Sequence, residues 1–344
     1  MLSLPCQSQI FDANSEWAET ADNSFSTHPI KSDSGLVMSD TARNYLNSFF
    51  EIVGAYSLRR DSINLFDIRN KISDQFKHAQ SIRDCYPAIV NALKELNDHH
   101  SFFMPYEQVQ DWRSDTEESR YIRTGSGVLL QNNIAYISLP AFHSGSPKKM
   151  QVFADSLQRL IRSLDKNEVA GWIIDLRKNE GGNCWPMLAG IGPLLGEGAC
   201  GSFARGPGEG PQWNYVNGVI SEGDKEFLRV SDPYHPKQEY SRVAVLTGPW
   251  TASSGEIVAV SFIGRPNTKR FGEPTFGVST GNQDFTLSDG SMLFLTTSVY
   301  ADRNRHTYGG KIVPDEIIPF SQGRFSPDRD PVLKRAIEWL TNNN

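Results

Sequence analysis

The chain has 344 residues, 38% of them apolar, and a formal net charge of −6. That is apolar material for one large domain or two modest ones, and an acidic balance without a basic stripe argues against nucleic acid as the main partner. No apolar run approaches the roughly 18 residues that span a bilayer, so no membrane segment is expected.

Residues 1–37 are rich in Ser, Asn and Asp with few periodic apolars, and a poorly ordered tail is expected there. The start lacks a charged n-region and a long apolar core, so no signal peptide is read. Four cysteines (Cys6, Cys85, Cys184, Cys200) are scattered without metal-ligand spacing. Reduced thiols and a cytoplasmic location are the expectation.

From residue 38 the period becomes helical. Tyr45, Leu46, Phe49, Phe50, Val53 and Tyr56 fall on one stripe behind a Ser39 or Asp40 cap. Leu65, Ile68, Ile72 and Phe76 repeat the pattern with Asn64 as cap, and "DCYPAIVNALKEL" gives a third helix with Pro87 tolerated in its first turn. A helical bundle over 38–100 follows, then a short cap or linker over 101–124.

From residue 125 the pattern is α/β. "GVLLQNNIAYISL" reads as two strands around a Gln-Asn-Asn turn. Ser146 caps a helix that opens with Pro147 and carries the stripe Phe153, Leu157, Leu160, Ile161, Leu164. "VAGWIIDLR" and "RVAVLTG" are continuous apolar strands of the kind buried on both faces. "CWPMLAGIGPLL" reads as a broken helix, and about 198–240 as a long Gly-, Pro- and aromatic-rich insertion. "SMLFLTTSVYADR" alternates as a strand, and a last helix closes a core spanning 125–344.

Three short motifs carry candidate chemistry. In "TASSGE", residues 251–256, a buried strand turns into a helix with Thr251, Ser253 and Ser254 on the turn. A serine there is a helix cap or, given a base within reach, a nucleophile. In "DLRKNEGGN", residues 175–183, a strand ends in a diglycine whose N–H groups are free to face a ligand. In "LNDHHSFF", residues 96–103, two histidines follow a helix, and histidine is the commonest general base near neutral pH. Cys184, beside the diglycine, is a further candidate nucleophile if a helix N-terminus lowers its pKa.

Taken together, and with "GEPTFG" and "GGKIVPDEII" downstream, these motifs resemble the C-terminal processing, or tail-specific, serine peptidases over about residues 40–320. The resemblance implies an N-terminal helical bundle followed by a β-β-α core of the crotonase and Clp-peptidase kind, a mixed α+β and α/β chain. It implies Ser253 as nucleophile and an oxyanion hole made by the N–H of Ser254 with that of Gly181 or Gly182. Tail-specific members use a lysine in "TFGKG"; here the stretch is "TFGVSTG" and Val278 takes that position. Valine accepts no proton. The branch that includes the tricorn core protease and the nisin resistance protein uses histidine in a D-x-H-S/T pattern, which falls here on Asp98-His99-His100-Ser101 and makes His100 the base, with His99 second. Only about 25 residues separate the histidines from the first core strand, too few for the PDZ domain many relatives carry. The implied substrate is a peptide or protein bound as an added strand, with no cofactor and no metal. The alternative on the same scaffold is a non-catalytic binder of hydrophobic ligands or peptides.

Overall fold

The computed structural model describes residues 37–115, 122–165, 169–205, 210–319 and 330–342. The expected tail therefore lies outside the described residues, apart from Val37. The described residues form two compact units, one made of those in 37–110 with 282–297, the other of those in 111–281 with 298–342.

The first unit is built on three helices, α1 (Asp40–Tyr56), α2 (Leu65–Gln75) and α3 (Tyr86–Leu96). Ser39 Oγ accepts the Ala42 N–H at the start of α1 and Asn64 accepts the Asp67 N–H at the start of α2, as their sequence positions lead one to expect. The apolar stripes converge: Phe49, Val53, Ile72, Ile89 and Leu96 are almost fully buried together. A short strand β1 (Phe102–Met104) and a helix α4 (Tyr106–Arg113) follow.

The second unit has two sheets. In the first, β2 (Ser126–Leu129) runs antiparallel to β3 (Ile134–Ser138) around the Asn132–Asn133 turn, where both asparagines take positive φ. β3 then pairs in parallel with β4 (Gly171–Asp175). The second sheet begins with β5 (Gly198–Ala204), β6 (Gln212–Val216), β7 (Val219–Glu222) and β8 (Lys225–Arg229), an antiparallel meander. The stretch expected to be a long insertion is thus largely sheet. The chain returns to the first sheet with β9 (Val243–Thr247) and β10 (Thr268–Gly272), both parallel, and later with β13 (Glu316–Ile317), giving the order β13-β10-β9-β4-β3-β2.

β11 (Thr280–Thr286) and β12 (Met292–Ala301) carry the chain between the units. In the first unit, the start of β12 pairs with β1, and Phe102 stacks on Phe294 at 4.5 Å. In the second unit, its end pairs with β5 through Tyr300↔Phe203.

Helices α5 (Pro147–Leu164), α6 (Cys184–Leu195) and α7 (Ser254–Ser261) fill the space between the two sheets, burying Phe153, Leu157, Leu188, Val258 and Trp213 in one cluster. The last helix, α8 (Pro331–Thr341), covers the other face of the parallel sheet through Val332, Ala336 and Leu340 against Ile173, Leu246 and Phe271. Continuous apolar β4 and β9 are explained by burial on both faces. One expectation is corrected: α6 is a single helix. Its glycines are required by close approach, since a Cβ at Gly192 would fall 2.0 Å from the Tyr215 ring, and Pro193 sits in the last turn, where the residues it spares are few. Arg177, leaving β4, is clamped between Asp175 and Asp330, the N-cap of α8, at 2.7 Å each, and ties strand end to helix start. No described helix is long and apolar enough to cross a membrane.

Candidate active site

The turn between β9 and α7 is held from below. Thr251 Oγ1 accepts the Gly248 N–H and donates to the Leu176 carbonyl, which braces the turn against the end of β4. Ser253 follows with φ 48° and ψ −113°, a backbone conformation that costs a non-glycine residue on the order of 1–3 kcal/mol and persists only where its surroundings enforce it.

Glu256 supplies that enforcement. Its carboxylate, fully buried, accepts the Ser253 N–H at 2.9 Å. It also accepts the Thr275 hydroxyl at 2.5 Å and the Gly277 and Val278 N–H groups at 3.1 and 3.0 Å. Sequence reading sees an acid in the first turn of a helix; the structure adds that it joins the serine turn to residues 275–278. Burial pushes its pKa up to about 7 against the four donors that pull it down. Val278, where a lysine was sought, is buried and contributes its backbone N–H to this carboxylate.

The diglycine meets the serine turn directly. Gly181 and Gly182 have φ of 112° and 100°. A Cβ on Gly181 would lie 2.9 Å from Ser253 Cβ and 3.1 Å from the Ser254 nitrogen; one on Gly182 would fall 2.1 Å from the Phe142 carbonyl oxygen. Only glycine fits either place. Ser254 Oγ donates to the Gly182 carbonyl at 2.5 Å. The Gly181 N–H is taken by Asn179 Oδ1 at 3.1 Å. Among the described residues, the Gly182 and Ser254 N–H groups are not taken by the hydrogen bonds that shape the turn.

Asn179 was not singled out from the sequence, although it lies inside the quoted motif. It is fully buried; its carbonyl accepts the Ala252 N–H at 3.0 Å and its side-chain amide donates to the Leu139 and Pro140 carbonyls. A Cβ on Gly255 would fall 2.3 Å from the same Asn179 carbonyl, which explains the glycine of "TASSGE". His143, half-exposed beside Gly182, pairs with Glu180 at 3.5 Å and holds that carboxyl below its usual range. The thiol of Cys184 lies near Ser254, and burial pushes it up to about 12, the opposite of what a thiolate nucleophile needs.

His100 belongs to the other unit. The Asp98 carboxylate accepts the His100 and Ser101 N–H groups at 3.0 and 2.8 Å and the Ser101 hydroxyl at 2.6 Å, folding the chain after α3 into a closed loop. Asn282 donates to the His100 carbonyl, and Thr296 donates its N–H to Ser101 Oγ. His99 is exposed at φ 59°, while His100 is half-buried. Burial pushes the His100 pKa down to about 4, with Asp98 pulling it back up, so the ring is neutral near pH 7. Asp98 and Ser101 thus serve the loop's backbone. The structure brings Ser253, Ser254, Gly181 and Gly182 together in the second unit and fixes His100 in the first. Among the described residues, no cluster of His, Cys, Asp and Glu has the make-up of a metal site.

A family model described as peptidase family S41 matches residues 133–318, a span that holds the diglycine and the serine turn. The nisin-resistance protein of Lactococcus lactis subsp. lactis is 28% identical over 300 residues, 87% of this chain and 86% of that protein. The chloroplastic carboxyl-terminal-processing peptidase 2 of Arabidopsis thaliana is 29% identical over 194 residues, 53% of this chain and 34% of that one. Among solved structures, a lipoprotein from Streptococcus agalactiae superposes with a TM-score of 0.69 at 22% identity, over 89% of this chain and 98% of that one. The photosystem II D1 C-terminal processing protease gives 0.55 at 15% identity, over 82% and 94%. These two share the fold.

Proposed function

The chain belongs to peptidase family S41 and is a serine peptidase, and from that premise we propose that Ser253 is its nucleophile and His100 its general base. The carrying observation is the strained Ser253 backbone at the head of α7, locked by Glu256 and seated against the diglycine.

In this reading the substrate is a peptide or unfolded protein, cut near its C-terminus and bound as an added strand. Neutral His100 takes the hydroxyl proton as Ser253 Oγ adds to the scissile carbonyl. The oxyanion that forms lies at the N-terminus of α7, where the Ser254 N–H and the helix dipole favour negative charge. Gly182 supplies the second N–H, since the Gly181 N–H is engaged by Asn179. The acyl-enzyme and the freed amine are the first products; His100 returns its proton to the amine and then activates a water for deacylation.

The test is labelling by a fluorophosphonate probe together with cleavage of a peptide library. Wild type labels and cleaves, Ser253→Ala does neither, and His100→Ala is slower by about 10³ or more. Labelling of Ser253→Ala at the wild-type rate would sink the assignment. An unlabelled wild type that binds an apolar ligand and cleaves nothing would favour a binder on this scaffold.

A further inference from the structure

We infer that Trp112 is a positioning residue for the oxyanion hole: it clamps the segment 142–146, whose Phe142 backbone sets the direction of the Gly182 N–H. The inference rests on Ser253 being the nucleophile with Gly182 as an oxyanion donor. It adds a side chain that lies outside residues 133–318, the span matched by the family model.

The direction of the donor follows from two backbone bonds. The Phe142 N–H donates to the Gly181 carbonyl at 3.1 Å, and the Asn183 N–H donates to the Phe142 carbonyl at 2.7 Å. No described peptide bond is cis, so the N–H and C=O of each peptide unit point opposite ways. The Gly182 N–H shares a peptide unit with the Gly181 carbonyl and therefore points away from Phe142. The Gly182 carbonyl does the same, and it meets Ser254 Oγ there. Both polar groups of Gly182 are thus turned to the side of the serine turn. A peptide unit between two glycines has no Cβ to oppose its rotation, and rotation takes the donor out of the hole. The bond from the Phe142 N–H opposes it.

Phe142 is held in turn. Its ring packs on Phe153 at 4.7 Å. Two residues on, the Trp112 carbonyl accepts the Ser144 hydroxyl at 3.1 Å and the Gly145 N–H at 3.0 Å. The indole occupies the space beside Gly145, where a Cβ would fall 2.4 Å from the ring. Asp115, three residues after the tryptophan, accepts the Ser146 hydroxyl. From the other side, Asn183 Nδ2 donates to the Ser144 carbonyl at 3.2 Å. Residues 144–146 are therefore gripped by 112–115 and tied to the residue that follows the diglycine. Trp112 touches no reacting atom and acts through Phe142 and Gly182. An oxyanion donor meets full charge only in the transition state, so loosening it lowers the turnover rate and leaves substrate affinity almost untouched.

The experiment compares full-length wild type with Trp112→Ala, Trp112→Phe, Gly145→Ala, Ser144→Ala and Ser253→Ala. Fluorophosphonate labelling carried to completion counts the active sites, and a thermal melt reports folding. For each labelled site, kcat and KM on one fluorogenic peptide and the Ki of a peptide aldehyde are measured, since the aldehyde adduct places its oxygen in the hole. Trp112→Ala is expected to lose about 30-fold in kcat and as much in aldehyde affinity, with KM within about threefold, short of the full loss of a donor. Gly145→Ala, whose methyl displaces the ring, loses about tenfold and Ser144→Ala about fivefold, while Trp112→Phe recovers most of the loss. Should Trp112→Ala fail to fold, Gly145→Ala and Ser144→Ala carry the same readouts. Wild-type kcat and aldehyde affinity per site in the folded variants would overturn the inference, as would a loss confined to KM or to the number of sites. Activity in Ser253→Ala would instead overturn the nucleophile on which it rests.

Discussion

The loop that carries His100 and the turn that carries Ser253 are fixed in opposite ways. The histidine loop is organised by one short side chain, Asp98, acting on the two or three residues after it, with Asn282 and Thr296 as outside supports. The serine turn is organised chiefly by residues distant in the chain, Asn179 from the diglycine segment and residues 275–278, the latter reaching it through Glu256 of its own helix. A local device tolerates exposure and costs little to build. A strained backbone has to be over-determined, and that takes buried polar groups with every bond satisfied.

The contrast is broken most directly at Asn179. Asn179→Ala leaves the Leu139 and Pro140 carbonyls and the Gly181 N–H without their partner. It is expected to lower kcat/KM by about 10² and stability by about 2–4 kcal/mol. Peptide kinetics and urea melts check this; a variant with normal activity would show that the diglycine keeps its shape unaided.

Glu256→Gln probes the same turn through pH. The folded carboxyl has its pKa raised from 4.5 to about 7, so the folded state holds the proton more tightly. The stability this gives is full below about 4.5 and is lost as pH rises through about 7. Wild type is therefore expected to lose about 3 kcal/mol over that window relative to Glu256→Gln, which has no such slope. Parallel stability curves for the two proteins would contradict it.

Asp98→Ala tests the local device and should cost less, about 1–2 kcal/mol, with activity down roughly tenfold as the histidine loop loosens. Were the two loops held alike, this loss would match that of Asn179→Ala. The smallest effect is a displaced pH limb. With a pKa near 4 in place of 6.5, His100 stays neutral to low pH, so kcat/KM should hold down to about pH 5 and fall near 4. Because the unfolded chain takes that proton first, stability also falls as pH drops from 6.5 toward 4. A limb near 7 would assign the titration to Glu256.

Much of the local structure was legible in the chain. Ser39, Asn64 and Ser146 cap helices as read, because a cap depends on residues three apart. The asparagine turn between β2 and β3 was legible for the same reason. Glycine at 181, 182 and 255 could be noticed, but the atoms that exclude a Cβ there belong to Phe142, Ser253 and Asn179, which no spacing rule connects. The segment of α6 reads as a broken helix from sequence alone, whereas its Gly190 and Gly192 are places where α5 and β6 come close to one continuous helix.

By itself, the sequence determined the kinds of element, the apolar faces of the helices, the family and the identity of the candidate nucleophile and base, since each is written in periodicity or in a short contiguous motif. Only the tertiary structure decided that residues 282–297 share a unit with the N-terminal helices, that Glu256 joins two turns and that the Asn179 carbonyl accepts the Ala252 N–H. Those contacts link residues tens of positions apart, and their strength comes from burial, which removes competing water and is a property of the packed chain alone.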